Sequence, residues 1–136
     1  MSIFKPLIEV ANRNSTSVVA GAAIPFTTAV HGNSSVLTSN GTGVSVNRVA
    51  GYYEAIAKVS FTVPVAGDVT LSIVKDGTVI AKATVTATTA TTYNVVIPVI
   101  FLSKCCTLPN TISVTTDLAI TSVDATLDVA YLSERN

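Results

Sequence analysis

At 136 residues and 14.0 kDa the chain holds one domain's worth of sequence. Eight Lys and Arg stand against eight Asp and Glu, which excludes the basic footprint that grips a phosphate backbone or an anionic bilayer. Only 12% of residues are charged and 49% are apolar, about half the ~25% charge of ordinary domains, so part of the surface is expected to be buried against other subunits.

The N-terminus reads Met1-Ser2-Ile3-Phe4-Lys5-Pro6-Leu7-Ile8-Glu9, with no apolar core of signal-peptide length, and synthesis in the cytoplasm is expected. Residues 7 to 11, 17 to 20, 24 to 28, 36 to 38 and 44 to 46 form short apolar stretches between Asn, Ser and Gly clusters, and each is predicted as a short strand. No segment carries helical periodicity; Val, Ile and Thr dominate, and their branched β-carbons suit a pleated surface. The class expected is all-β.

Residues 51 to 63 give the clearest strand. Tyr53, Ala55, Ala57, Val59, Phe61 and Val63 share one face, and Glu54, Lys58, Ser60 and Thr62 the other. Val69, Leu71 and Ile73 alternate in the next strand, and Asp76-Gly77 sits where a two-residue hairpin needs positive φ. The return strand is predicted over 79 to 87. Residues 93 to 104 break the alternation, because Val95, Ile97, Val99 and Phe101 are matched by Val96, Ile100 and Leu102 on the opposite face. A strand apolar on both faces is covered on both. One face meets the domain core, so Val96, Ile100 and Leu102 are expected to meet a partner chain. Pro98 lacks the N–H of a ladder residue, which places it at an edge or a bulge. Half-buried strands follow around Ile112, Val114 and Leu118 and over 125 to 131. The apolar run over 95 to 102 is far short of the roughly 20 residues of a spanning helix, and no membrane insertion is expected.

Catalytic chemistry finds no footing. His31 is the single histidine, in a turn-like Val-His-Gly-Asn setting, and no Ser or Cys lies in a nucleophile motif. Cys105 and Cys106 are adjacent and point to opposite strand faces, so they do not offer two thiolates to one zinc. They read as structural thiols, with an interchain or vicinal disulfide left open. Asp124 and Asp128 share a strand face, with Asp117 near in sequence, but solvated carboxylates are the reading adopted over a hard-cation site. Tyr52 and Tyr131 are taken as interface anchors in preference to sugar-stacking platforms. No catalytic, cofactor or metal site is expected, and the chain is not expected to be an enzyme.

Ala20-Gly21-Ala22-Ala23-Ile24-Pro25-Phe26, Gly51-Tyr52-Tyr53-Glu54-Ala55, Phe61-Thr62-Val63-Pro64-Val65-Ala66-Gly67, Lys75-Asp76-Gly77 and the closing Ala130-Tyr131-Leu132 together resemble the TNF/C1q-like trimeric jelly roll. The resemblance spans about residues 15 to 133 and lies nearest the bacterial and phage branch. That branch includes the C-terminal domain of a collagen-like spore-surface glycoprotein and short phage head-fibre or capsid-decoration proteins. It implies a two-sheet antiparallel sandwich of about eight to ten strands assembled as a homotrimer. No Gly-X-Y repeat precedes the domain, which disfavours a spore filament tip. Residues 16 to 136 are then the jelly-roll domain. Residues 1 to 15 are an N-terminal arm, with Ile3, Phe4, Leu7 and Ile8 as its anchoring side chains. The function implied is a structural virion protein on the capsid exterior, with itself and the major capsid protein as partners. The alternative is a receptor- or glycan-binding tip of a virion or of a bacterial cell or spore surface, with a host surface glycan as ligand. Nucleic acid is not an expected partner.

Overall fold

Strands are what this composition dictates, and the computed structural model, which describes residues 6–32, 35–104 and 108–133, contains ten of them and no helix among those residues. In chain order they are β1 (Leu7–Val18), β2 (Thr28–His31), β3 (Leu37–Ser39), β4 (Gly43–Val46), β5 (Gly51–Thr62), β6 (Gly67–Lys75), β7 (Thr78–Ala87), β8 (Tyr93–Ser103), β9 (Asn110–Thr116) and β10 (Ile120–Ser133). They form two antiparallel five-stranded sheets, β2-β1-β10-β5-β8 and β3-β4-β9-β6-β7. The first and last strands of the chain are hydrogen-bonded neighbours, as are β5 and β8.

Alternation places the core between the sheets. Tyr53, Ala55, Ala57, Val59 and Phe61 of β5 point inward beside Leu127 and Val129 of β10 and Ile8 and Val10 of β1, and all are buried. Facing them are Leu37, Val44, Val69, Leu71, Ile73, Ile112 and Val114 of the second sheet. Val95, Ile97 and Phe101 of β8 extend the first sheet's side of this core.

The β6–β7 hairpin turns at Asp76 (φ 50°) and Gly77 (φ 85°), the pair of positive dihedrals that Asp-Gly supplies at low cost. Asp76 also ties this turn to β9: its carboxylate accepts from the Thr111 N–H at 2.8 Å and from Asn110 Nδ2 at 2.7 Å. Ser103 Oγ at the end of β8 donates in turn to Asn110 Oδ1. Gly43 shows how closely β4 approaches β9, for a Cβ there would overlap the backbone carbonyl of Ile112. Gly43→Ala is expected to separate the two strands locally and to destabilise the fold by about 2 kcal/mol or more, read as a lower Tm in thermal unfolding.

Three expectations are corrected. Residues 7 to 15 are not an arm, because β1 runs from Leu7 to Val18 between β2 and β10, with Ile8 and Val10 at zero exposure. Between Asn12 and Thr16 the pairing with β10 shifts register, a bulge within the strand. Asn12 is itself buried, donating from Nδ2 to the Pro25 carbonyl at 2.8 Å and accepting at Oδ1 from the Asn14 N–H and Thr16 Oγ1. The 24 to 28 segment is not one strand. Ile24 donates its N–H to the Val114 carbonyl at 2.8 Å, Pro25 has no N–H to continue the ladder, and pairing resumes in the other sheet at Thr28. Residues 22 to 24 thereby occupy the position beside β9 beyond the end of β4. The backbone of His31 lies in β2, opposite Glu9, and not in a turn.

Candidate functional site on the outer sheet face

The two outer faces of the sandwich differ in kind. On the β3-β4-β9-β6-β7 sheet, Asp68, Thr70 and Ser72 of β6 face Thr86, Thr84 and Lys82 of β7. Thr70 and Thr84 hydroxyls meet at 2.8 Å, and Thr86 Oγ1 donates to Asp68 at 2.8 Å. That face carries hydroxyls and charges suited to water.

On the β2-β1-β10-β5-β8 sheet the outward residues stand in rows set by the register. Leu7, Ala130, Glu54 and Ile100 make one row, Glu9, Asp128, Ile56 and Pro98 the next, and Ala11, Thr126, Lys58 and Val96 a third. Tyr52 pairs with Leu102 beyond the first. Ile100 is 61% exposed and Val96 58%, with Leu7 and Tyr52 also exposed. Large aliphatic side chains on adjacent strands thus form one exposed apolar surface interrupted by charges. It is centred on β8, an edge strand of its sheet. The alternation that buries Val95, Ile97 and Phe101 necessarily turns Val96, Pro98 and Ile100 outward.

Of the sequence-predicted interface residues, the fold brings Val96, Ile100, Leu102 and Tyr52 together on this face. Tyr131 departs from that expectation. It pairs with Tyr53 on the inward side, and the two rings meet in a T-shaped arrangement with centroids 5.4 Å apart. Alternation alone sets this: Tyr131 follows the buried Leu127 and Val129 at period two, whereas Tyr52 adjoins the inward Tyr53 and therefore faces out. Tyr53 stacks on Phe101 at 5.7 Å and donates its hydroxyl to the Val49 carbonyl at 2.6 Å. Desolvation by burial, aided by the neighbouring Tyr131, pushes the Tyr53 hydroxyl up to about 12. Because the folded value lies above the ordinary value of 10.0, this phenol contributes full stability below pH 10. That contribution is lost as the pH rises from 10 towards 12. Tyr53→Phe is expected to flatten that part of the alkaline unfolding curve, followed by circular dichroism.

The expected anchor residues divide. Leu7 lies on the outer face and Ile8 in the core, whereas Ile3 and Phe4 lie outside the described residues, as do Cys105 and Cys106. Asp124 and Asp128 share the outer face, and Asp124 accepts a long hydrogen bond of 3.4 Å from the Ser15 N–H. Asp117 sits across the sandwich, bonded to the Thr70 N–H at 2.7 Å. Among the described residues no three His, Cys, Asp or Glu side chains are grouped to hold a metal ion. Sequence reasoning missed Leu7, Ile56 and Pro98 as members of the apolar rows. Once β1 is read as a strand, the parity of Leu7 against Ile8 identifies it, and Ile56 breaks the polar face of β5 visibly.

No protein-family model and no curated protein sequence matches this chain. Solved structures do match. The architecture is that of the TNF/C1q-like jelly roll, a class shared by proteins of very different settings. PRD1 vertex protein P5 is similar at a TM-score of 0.67 and 15% identity, over 93% of this chain and 96% of its own. Murine APRIL at pH 5.0 gives 0.74 and 15%, over 95% and 100%, and the globular domain of zebrafish complement 1qA protein gives 0.65 and 9%, over 97% and 100%. At these identities the likeness is one of fold.

Proposed function

We propose that the chain is a homotrimeric structural protein of a phage virion, a capsid decoration or head-fibre protein displayed on the capsid exterior. The observation that carries the reading is the exposed apolar surface on the outer face of the β2-β1-β10-β5-β8 sheet, with Val96 and Ile100 more than half exposed on an otherwise well-formed sandwich. Covering such a surface stabilises an assembly by roughly 25 cal/mol per Å² removed from water. Threefold contact through this face covers the apolar rows and leaves the threonine-rich sheet facing water. Fold-level likeness to a vertex protein supports the virion setting.

The attachment role of the corrected arm falls to the residues ahead of Leu7, Ile3 and Phe4 among them, with a capsid protein as partner. Self-association is tested by sedimentation equilibrium, where three times the 14.0 kDa chain mass is expected at micromolar concentration and no cofactor. A monomer mass there would end the trimer reading. Attachment is tested by co-sedimentation with undecorated capsids. The full chain is expected to pellet with them, and a chain starting at Pro6 is expected to trimerise yet stay in the supernatant.

A further inference from the structure

Towards the end of β5 the outer face of the β2-β1-β10-β5-β8 sheet turns from aliphatic to polar and opens into a groove. The register sets Thr126, Lys58 and Val96 in one row and Asp124, Ser60 and Asn94 in the next, and Arg13 joins them from β1. The groove holds about 360 Å³, within the ~300–1,000 Å³ span of small-molecule sites. Both strands on its β1 side are bulged. Pairing slips between Asn12 and Thr16 of β1 and between Thr121 and Asp124 of β10. Each slip holds a serine in the left-handed region, Ser15 at φ 49° and Ser122 at φ 51°, a conformation that strains any residue with a Cβ. The Ser15 N–H reaches Asp124 Oδ1 at 3.4 Å, so the two bulges meet at the groove wall. Bulges of this kind re-aim side chains beside binding sites.

The side chains aimed into this groove are unengaged. Arg13, Lys58, Ser60, Asn94 and Thr126 make no side-chain hydrogen bond or ion pair with another described residue. Elsewhere on the sandwich such groups satisfy one another: Thr62 meets Thr121, Thr70 meets Thr84 and Thr86 meets Asp68, each at 2.8 Å. Two cations without a carboxylate call for an anion, and a planar guanidinium suits a carboxylate in particular. Two hydroxyls and an amide in neighbouring rows call for a ligand with several hydroxyl groups. Asp124 binds the Ser15 N–H through one oxygen only, which leaves the other to accept from a ligand hydroxyl. Exposed Val96 offers an apolar wall for the C–H face of a sugar ring. A bare phosphate or a simple carboxylate would use the cations and leave the rest of the groove without a role. We propose that the groove binds a carboxylate-bearing sugar, its carboxylate on Arg13 and Lys58 and its hydroxyls on Ser60, Asn94 and Thr126. The groove is complete within one chain, so the proposal stands apart from the trimer reading.

The test titrates the isotope-labelled full chain with D-glucuronate and with N-acetylneuraminate, and in parallel with glucose, acetate and inorganic phosphate, following amide chemical shifts by NMR. One of the two acidic sugars is expected to bind with a Kd of about 1 mM or below, and glucose, acetate and phosphate at least about tenfold more weakly. The shifts are expected at Lys58, Ser60, Asn94 and Thr126 and not at Thr70 and Thr84 on the other sheet. Arg13→Gln with Lys58→Gln is expected to reduce the acidic sugar to the level of glucose. The proposal is overturned if neither acidic sugar binds at about 10 mM, if acetate or phosphate binds as tightly, which makes this an anion site only, or if the double variant keeps full affinity. Should that variant fail to fold, the unaltered chain decides, because shifts confined to residues away from the groove overturn the assignment by themselves. Sedimentation of the same samples reports the assembly separately. A monomer that binds the acidic sugar upholds the groove and removes the trimer, and a trimer that binds neither does the reverse.

Discussion

Ile100→Asp is expected to turn a stable trimer into a monomer that remains folded. Ile100 sits on β8 opposite Glu54, is 61% exposed in the single chain, and contributes little to the intramolecular core. In the assembled state the substitution introduces a carboxylate in each of three copies beside an existing glutamate. Each buried and unpaired charge costs on the order of 3 kcal/mol or more, and about 1.4 kcal/mol is a factor of ten in association. Three such penalties act on one assembly equilibrium, so dissociation by several orders of magnitude is expected at fixed concentration. Sedimentation mass and thermal unfolding are the measurements. If the variant keeps the trimer mass and an unchanged melting temperature, the apolar rows around β8 are not the contact surface.

The second large effect concerns β1. Deleting residues 1 to 14 is expected to abolish cooperative folding, because it removes a strand from the interior of a sheet. Ile8 and Val10 leave the core, at roughly 1.5–3 kcal/mol each. The ladder from Leu7 to Asn12 against β10 is lost, and β2, whose sole sheet neighbour is β1, loses its support. A domain of this size has only about 5–15 kcal/mol of net stability, and the combined loss is of that order. A truncated chain that still gives a sharp thermal transition near that of the full chain would show that β1 is dispensable after all.

What the residues disclosed in advance follows from where alternation is clean. β5 keeps period two over its whole length, and Asp76-Gly77 has one low-cost turn geometry, so both were legible from residue type and spacing. The apolar excess of β8 was legible for the same reason, and its surplus residues stand on one outward face. β1 was not legible beyond its first residues. A buried Asn, held by its own hydrogen bonds to Pro25, Asn14 and Thr16, looks in sequence like the polar loop it replaces. Tyr131 was misplaced because its residue type was given more weight than its phase: it continues Leu127 and Val129 at period two and so turns inward with them.

The pairing of β1 with β10 also bears on how the chain is made. Leu7 is opposite Ala130, and the Tyr131 N–H donates to the Pro6 carbonyl at 2.9 Å, so one sheet is zipped by segments far apart in sequence. During synthesis β1 emerges well before its ladder partner. Until β10 has emerged, the apolar rows of β1 and β5 have no β10 between them. Contacts this distant in sequence slow folding and lengthen exposure to aggregation. Nascent chains of this protein are therefore expected to depend on chaperone protection until β10 has emerged, and a premature stop even a few codons before β10 should yield no native subunits to poison the assembly.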